Sequence, residues 1–341
     1  MEYNVAHPLI LRVGTPVVYS ALADPMPARV GVTPRGKSRR LERVLTDFGC
    51  EHSFAQAAER VREHYGFALG ASAIRTATLK HAQCARVQLQ AEYAQPFREL
   101  PVMGQEPVIA QADGTMICTV APGARKGKRP REWKEMRLVA AQAKDSATTV
   151  YGATFGSVAE TRRRWGHCTR QAGWGLNSRI HAGGDGADWI RLQCREVFGD
   201  QGQFLCDFFY VSEYLAAAAP SCRPAQPDQW RRTQQQRLKH GHAPKVVAAM
   251  AEHLEAEGTP ETDAPVRNGH RYLKNRLDCL DYALALALDL PIGSGLIESC
   301  HRHVLQARLK KARAAWLADR ADQIAHLRVL RANNQWSSIW N

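Results

Sequence analysis

Three carboxylates in this chain stand beside strand-like or chain-stopping residues, and together they could do metal-dependent chemistry on phosphodiesters. Asp113 lies inside an apolar run, where aspartate is otherwise depleted. Asp185 lies between two glycines, and Glu298 follows the Gly293-Ser-Gly295 break. Cutting or joining a phosphodiester uses two divalent ions held by hard oxygen ligands. We therefore hypothesise that the fold brings these acids together as ligands for two Mg²⁺ (or Mn²⁺) ions.

Glu298 also has a simpler explanation. Ser294 is a good N-cap residue, and Leu296 and Ile297 begin an apolar pattern, so a helix is predicted to start here. A carboxylate in the first turn is favoured by the helix dipole. Glu298 alone could therefore be a stabilising residue, and only the fold can show whether it meets Asp113 and Asp185.

The composition indicates a globular protein with a polyanionic partner. The chain has 341 residues, 46 Lys and Arg against 33 Asp and Glu, and a formal charge of +13. Such an excess favours nucleic acid as the partner, although a basic surface can also serve solubility alone. The longest apolar stretch, residues 282–292, is too short to span a bilayer, so no membrane association is expected. Nine cysteines without a C-x-x-C pair are typical of reduced thiols in a cytosolic protein.

The elements that precede the first acid are helical. Residues 1–38 are rich in proline and predict a loose lead-in, and residues 40–83 predict three helices with the outline of a helix-turn-helix. Arg75 and Lys80 would lie on the exposed side of the recognition helix and contact DNA. An ordinary three-helix bundle is the alternative.

The acids themselves fall in a region of alternating strands and helices. Predicted strands cover residues 107–120, 135–142, 148–155, 179–185 and 203–209, with helices at 159–172 and from about Ala187. The first three strands should form a meander, and the last two should add in parallel. A basic loop between the first two strands is a second candidate DNA contact, formed by Arg125, Lys126, Lys128 and Arg129.

The last third of the chain is predicted to be helical. Residues 216–288 are parted by prolines and glycines, and the final segment is strongly basic, with Arg302, Lys310 and Lys311 as candidate DNA contacts. Trp316 and Leu327 are interpreted as core residues. His301 and His303 do not lie on one helix face and are interpreted as surface or DNA-facing residues, not zinc ligands.

Several motifs carry a resemblance to a known family. They are Ala112-Asp-Gly-Thr115, Gly184-Asp-Gly-Ala187, Asp207-Phe-Phe-Tyr210 and Pro291-Ile-Gly-Ser-Gly-Leu-Ile-Glu-Ser299. Over residues 40–335 the chain resembles bacterial DDE-type insertion-sequence transposases of the ISKra-type group, which have relatives in the Mutator and hAT superfamilies. The resemblance implies Mg²⁺-dependent cleavage and strand transfer at element ends, with Asp113, Asp185 and Glu298 as the triad. It also implies element-end and target DNA as partners, a homo-oligomer on DNA, and a nucleoid-associated location in the bacterial cytoplasm.

The resemblance also fixes the expected architecture. It is α/β: an RNase H-like catalytic domain with a mixed five-stranded sheet and flanking helices, an all-α insertion and an N-terminal helix-turn-helix-like domain. The boundaries expected are 1–95 for the DNA-binding region, 105–215 for the first part of the core, 216–288 for the insertion, and 289–341 for the final helices. The lead-in is short for the family, so an N-terminal part is expected to be missing.

One position departs from the family. The fifth strand usually carries a D-x-x-H or C-x-x-H motif, but Tyr210 stands three residues after Asp207. This leaves Asp207 open as the second metal ligand, or as a residue behind the ligands. Asp185 is favoured because an Asp-Gly pair at a strand end before a helix fits the Mutator pattern. The missing histidine keeps two alternatives open: an inactive or domesticated DNA-binding protein, and an RNase H-like nuclease without strand transfer.

Overall fold

The structure is a computed structural model that describes residues 37–95, 99–123 and 130–340. The predicted contacts Arg125, Lys126, Lys128 and Arg129 lie outside these ranges, as does most of the predicted lead-in.

Three helices open the described chain: α1 (Arg39–Glu51), α2 (Phe54–Tyr65) and α3 (Ala71–Ala94). Ser53 and Gln56 form the capping box at the start of α2, and Gly66 ends that helix in the left-handed region at φ 71°. Both features agree with the sequence pattern. The third helix was predicted to end by residue 83, but α3 continues without a break to Ala94.

A five-stranded sheet follows, as predicted. Its strands are β1 (Val108–Val120), β2 (Arg131–Ala143), β3 (Val150–Thr154), β4 (Ile180–Gly184) and β5 (Gly202–Cys206), in the order β3-β2-β1-β4-β5. β1, β2 and β3 are antiparallel neighbours, whereas β4 pairs in parallel with both β1 and β5. The predicted meander with two added parallel strands is confirmed.

Helices cover both faces of the sheet. α4 (Val158–Gln171) and α5 (Asp188–Phe198) connect β3 to β4 and β4 to β5. Alternate residues of β1 contribute to two separate hydrophobic clusters: Ala110 and Ala112 to one, and Ile117 to the other. Asp113 therefore points to the same face as Ile117, which is the face covered by the last helices of the chain.

The segment that follows β5 is helical, as predicted. Its helices are α6 (Phe208–Cys222), α7 (Pro227–Lys239), α8 (Ala243–Ala251), α9 (Pro265–Lys274) and α10 (Tyr282–Ala287). The fifth strand was predicted to reach Phe209, but β5 ends at Cys206 and α6 begins two residues later. In the ranges that the structure describes, no helix combines the length and apolarity needed to cross a membrane.

The last helices carry Glu298 and much of the basic charge. α11 begins as Gly295–Cys300, passes through a π-helical turn at His301–Gln306 and ends at Ala307–Leu309, and α12 covers Ala318–Ala332. Part of the basic charge is structural: Arg328 is buried, with Nη1 donating to the Cys50 carbonyl at 2.8 Å and pairing with Glu51 at 2.8 Å.

The first helices and the last ones share a hydrophobic cluster. Ala82 and Leu89 of α3 are buried together with Leu327 of α12. Polar contacts flank this cluster, since Arg86 Nη1 lies 2.5 Å from Asp319 Oδ1. The N-terminal helices are thus packed directly against the C-terminal segment.

Candidate active site

The register between β1 and β4 places Asp113 and Asp185 together. The parallel pairs run from Val108 beside Ile180 to Gln111 beside Gly183. Continuing this register by two residues brings Asp113 opposite Asp185, at the point where β4 has just ended. Since carboxyl ends of parallel strands meet at one edge of a sheet, this edge is where sites commonly form.

Each of these two carboxylates has one oxygen held by a nearby backbone N–H. The Gly114 N–H donates to Asp113 Oδ1 at 2.7 Å, and the Ala187 N–H donates to Asp185 Oδ1 at 2.8 Å. No hydrogen bond to either Oδ2 atom is formed within the described ranges. One oxygen of each acid is therefore oriented, and the other is available to a ligand.

The turn that carries Asp185 is fixed from the helical insertion. The Tyr272 hydroxyl donates to the Asp185 carbonyl at 2.6 Å, and Arg276 Nε donates to the Gly186 carbonyl at 2.7 Å. Gly186 has φ 80°, a conformation that residues with a side chain rarely adopt. Gly186 is thus explained by its backbone conformation and by close packing, since a Cβ atom there would lie 2.5 Å from the Tyr272 hydroxyl oxygen and 2.9 Å from Cys206 Sγ.

Burial raises the pKa of the Asp185 carboxyl above its usual range, although the Ala187 N–H opposes the shift. The charge of Asp113 raises this pKa further, and the charge of Glu135 acts in the same direction. The two acids predicted to share a metal therefore repel each other in the protein alone. A bound cation would relieve this repulsion.

Gln111 attaches the start of α11 to the central strand. Its side chain is almost fully buried, with 1% exposure. Its Nε2 donates to the Gly293 carbonyl at 3.0 Å, and its Oε1 accepts from the Ile297 N–H at 3.0 Å. Gln111 lies two residues before Asp113, so the helix that carries Glu298 is held beside the strand that carries Asp113.

Glu298 lies near this edge but is not in contact with the aspartates. Its side chain is exposed in the first turn of α11, and its Oε1 lies 3.5 Å from Ser294 Oγ. Across residues 37–95, 99–123 and 130–340, no three His, Cys, Asp or Glu side chains form a metal-binding cluster. The β1–β4 register places the two aspartates at one edge of the sheet, whereas the Glu298 carboxylate lies beside Ser294, which binds Asp207.

His301 was interpreted from the sequence as a surface or DNA-facing residue, and this is wrong. The residue is 3% exposed, and its Nε2 lies 3.2 Å from Asp113 Oδ2. The contact lacks hydrogen-bond geometry, and neither ring nitrogen has a hydrogen-bond partner in the described part of the chain. A signal was present, because His301 follows Glu298 by three residues and so shares its helix face.

Asp207 has a different environment from Asp185. It is 4% exposed and caps α6, with Oδ1 accepting from the N–H groups of Phe209 at 2.6 Å and Tyr210 at 2.9 Å. Its Oδ2 accepts from the Ser294 N–H at 2.5 Å and from the Ser294 hydroxyl. Four donors saturate this carboxylate. Ser294 was expected to cap α11 with its side chain, but its hydroxyl donates to Asp207 and makes no cap bond.

Glu135 is a fourth acid near this edge, and the sequence analysis missed it. A Cβ atom on Gly114 would lie 2.2 Å from Glu135 Oε1, so the absence of a side chain at Gly114 makes room for the carboxylate. Arg137 Nη2 lies 2.5 Å from Glu135 Oε2 and balances its charge. No sequence signal marks Glu135, because its position depends on the β1–β2 register.

Tyr210 occupies the place where the family resemblance led us to expect histidine. Its phenol is 37% exposed and packs edge-on against Tyr214, with ring centroids 5.6 Å apart. Burial raises the pKa of Tyr210 to about 12, and the charges of Tyr214 and Asp185 add to the shift. The side chain therefore lies within electrostatic reach of Asp185.

The predicted DNA contacts have varied environments. Arg75, Arg302 and Lys310 are exposed, and Lys311 is partly exposed. Lys80 is exposed as well, but its Nζ lies 2.8 Å from Glu42 Oε2. Their role in DNA binding stays a prediction.

A scan of the chain against protein-family models and a search of curated proteins find no match.

Proposed function

We propose that this chain is a DDE-type transposase with an RNase H-like catalytic domain. The sheet supports the proposal, because an antiparallel β1–β2–β3 unit with β4 and β5 added in parallel is the arrangement the resemblance implies. Helices flank that sheet and an all-α segment separates β5 from α11. In this proposal the protein binds the ends of its element, cuts the DNA there and joins it to target DNA.

One observation carries the proposal: the β1–β4 register sets Asp113 opposite Asp185, and Gln111 holds the helix of Glu298 beside them. The residues are far apart in sequence, so only this topology brings them to one edge. A set of acids that repel one another is unfavourable unless a cation compensates them.

The donor set fits divalent magnesium. Among the described residues, the Oδ2 atoms of Asp113 and Asp185 accept no hydrogen bond, and the Asp113 Oδ2 has His301 Nε2 3.2 Å away. Mg²⁺ prefers carboxylate oxygens, with substrate phosphates completing its shell. In this proposal both aspartates hold the ions and Glu298 joins them from α11. When bound, two such ions activate the attacking oxygen and stabilise the leaving oxygen.

The chain's own residues position this edge. Asp207 joins the start of α6 to the start of α11 through Ser294, and Gln111 joins α11 to β1. His301 contacts Asp113 from the next turn of α11. The basic residues, including Arg75, would hold element-end and target DNA, on which we expect a homo-oligomer to assemble in the bacterial nucleoid.

The direct test is cleavage of a labelled DNA carrying the element's terminal sequence, in the presence of Mg²⁺. Asp113→Asn, Asp185→Asn and Glu298→Gln should each lose cleavage while end binding and thermal stability are retained. Glu132→Gln is the matched control, since Glu132 is an exposed acid on β2 whose side chain, among the residues that the structure describes, pairs only with Lys134 at 3.6 Å. Cleavage at the wild-type rate by the aspartate variants would refute the proposal.

A second function is DNA binding without cleavage, and Tyr210 favours it because a phenol stands three residues after Asp207, where the resemblance leads us to expect histidine. In that case the wild-type protein binds element ends equally well with EDTA or Mg²⁺ and cuts neither strand. Tyr210→His would then be expected to restore some cleavage. A protein that cuts but never joins ends in a strand-transfer assay would instead be a nuclease.

A further inference from the structure

A groove lies between the N-terminal helices and the segment that joins α11 to α12. Its volume is about 880 Å³, and it is lined by Phe54, Arg75, Leu79, Arg313, Trp316 and Arg320, among others. The lining comes from both ends of the chain, so the groove exists only because α3 packs against α12. No acidic side chain lines it among the residues that the structure describes.

Trp316 forms a rigid part of the groove. Its backbone pairs with the free edge of β1, where its N–H donates to the Cys118 carbonyl at 3.0 Å and its carbonyl accepts from the Val120 N–H at 2.8 Å. Its indole Nε1 donates to the Leu309 carbonyl at 3.1 Å. An aromatic ring held in this way is a preformed surface for stacking. Trp316 was interpreted as a core residue, and it is half-buried and packs against the hydrophobic cluster that contains Leu327.

A buried arginine lies under the aromatic rings. Arg308 is 3% exposed, and its guanidinium carbon lies 4.7 Å from the ring centroids of both Phe54 and Trp316. Its Nε donates to the Gly49 carbonyl at 3.0 Å, but its Nη2 has no hydrogen-bond partner within the described chain. Burial lowers the pKa of Arg308 to about 10. A buried guanidinium with an unpartnered Nη2 favours an anion in the groove that it lines.

Two exposed arginines lie on the walls of the groove. Arg75 and Arg313 are exposed and have no ion-pair or hydrogen-bond partner in the ranges the structure describes. Arg313 also has φ 63°, an unusual conformation for a residue with a long side chain. The Lys80 ammonium forms an ion pair with Glu42, and Arg320 Nη1 donates a hydrogen bond to Gln323 Oε1 at 2.9 Å. Arg75 and Arg313 are thus the two cations most ready to bind phosphate.

From this arrangement we infer that the groove binds single-stranded DNA. Phosphates would lie against Arg75 and Arg313 and a base against Trp316, which is the combination of basic walls and an aromatic platform that binds single strands. A duplex hides its base faces and cannot use the aromatic floor. The inference rests on the proposed function, in which the ligand is a strand separated at the element end.

The experiment measures binding of an oligothymidylate of about 12 nucleotides by fluorescence anisotropy across a salt series, with EDTA present to prevent cleavage. The double variant Arg75→Ala/Arg313→Ala should weaken binding at least about tenfold. It should also reduce the slope of log K against log salt by about 1.4, since each single-strand phosphate contact contributes about 0.7. Arg195→Ala/Arg232→Ala is the matched control, because both residues are exposed and lie outside the groove, and it should change neither quantity.

Trp316 is tested separately. Trp316→Leu should weaken single-strand binding about 5- to 150-fold, whereas Trp316→Phe, which keeps an aromatic ring, should stay close to wild type. Thermal unfolding of both variants shows whether they fold. If Trp316→Leu unfolds, the surface pair Arg75 and Arg313 still decides the question.

Several outcomes would overturn the inference. They are an unchanged salt slope in the Arg75/Arg313 variant, an equal loss of binding to a blunt hairpin duplex, or tighter binding of an oligouridylate RNA of the same length. Failure of the proposed function is distinguishable, because cleavage at element ends is scored separately. Normal cleavage with no groove effect removes the inference alone, and groove binding without Mg²⁺-dependent cleavage removes the proposed function alone.

Discussion

Asp185 and Asp207 follow the ends of adjacent parallel strands, yet the structure uses them in different ways. Asp185 is half-buried, has one oxygen bonded to the Ala187 N–H and faces the charge of Asp113. Asp207 is buried, and four donors from α6 and Ser294 occupy its two oxygens. Proximity to a strand end therefore locates carboxylates but does not assign their roles. The number of donors already bound to each oxygen distinguishes a free ligand from a structural cap.

The largest expected difference is in activity. Asp185→Asn should reduce cleavage of element-end DNA by on the order of 10³-fold or more, as loss of one member of a catalytic set commonly does. Asp207→Asn should reduce it by only about 10- to 100-fold, as expected for a residue that positions others. Rates measured at saturating Mg²⁺ on the same DNA check this. Equal losses in the two variants would make Asp207 the second metal ligand.

The second difference is in stability. Asp207→Asn replaces one carboxylate oxygen with an amide NH₂ group, which cannot accept a hydrogen bond from the Ser294 N–H. A buried donor left without a partner costs about 1–3 kcal/mol, so the free energy of unfolding should fall by that amount. Urea denaturation followed by circular dichroism measures it. An unchanged midpoint would show that Asp207 does not hold α6 and α11 together.

The partner of Asp207 gives a smaller effect. Ser294→Ala removes the hydroxyl that donates to Asp207 but keeps the backbone N–H that binds the same oxygen. We expect a loss of about 1 kcal/mol in unfolding free energy. Combined with Asp207→Asn, the loss should be less than additive, because the two residues share one interaction. Full additivity in this double-mutant cycle would show that Asp207 and Ser294 do not stabilise the protein through a shared interaction.

The smallest expected effect is an increase in stability, opposite in sign to the losses described above. Because the pKa of Asp185 is raised in the folded protein, its charged form is less favourable there than in the unfolded chain. Asp185→Asn should therefore increase stability near neutral pH, by less than about 1 kcal/mol after solvent screening. The gain should vanish as pH falls below the ordinary aspartate range, where the carboxyl is protonated in both states. Thermal unfolding from pH 3 to 8 measures it.

Glu92 is the control for the sign of this pH-dependent change in stability. Its hydrogen bond with His167, with 2.9 Å between Oε1 and Nε2, lowers the pKa of Glu92 although burial opposes the shift. Its contribution to stability is present above the ordinary glutamate range and is lost as pH falls through its lowered pKa. Glu92→Gln should thus lose up to about 1 kcal/mol at pH 7, and this loss should shrink as pH falls through the lowered pKa of Glu92. The same sign for Glu92→Gln and Asp185→Asn would contradict this account.

Local chemistry made much of the fold predictable. The Ser53 capping box, the left-handed Gly66 and the five strands follow from patterns within a few residues, because capping and strand alternation act over short distances. The end of β5 was misplaced for a related reason. Phe208 and Phe209 continue an apolar run, but Asp207 caps a helix there. Its Oδ1 accepts from the first N–H groups of α6, and its Oδ2 accepts from the Ser294 N–H.

The sequence by itself determined which residues could do chemistry, namely the acids beside glycines and the basic residues of the last helices. Only the tertiary structure decided what each of them meets. Strand register set Asp113 opposite Asp185, and the packing of α11 buried His301 against Asp113. The docking of the N-terminal helices on the C-terminal segment brought the Arg308 guanidinium within 4.7 Å of the ring centroids of Phe54 and Trp316. Contacts between residues hundreds of positions apart depend on the whole topology, and no local pattern encodes them.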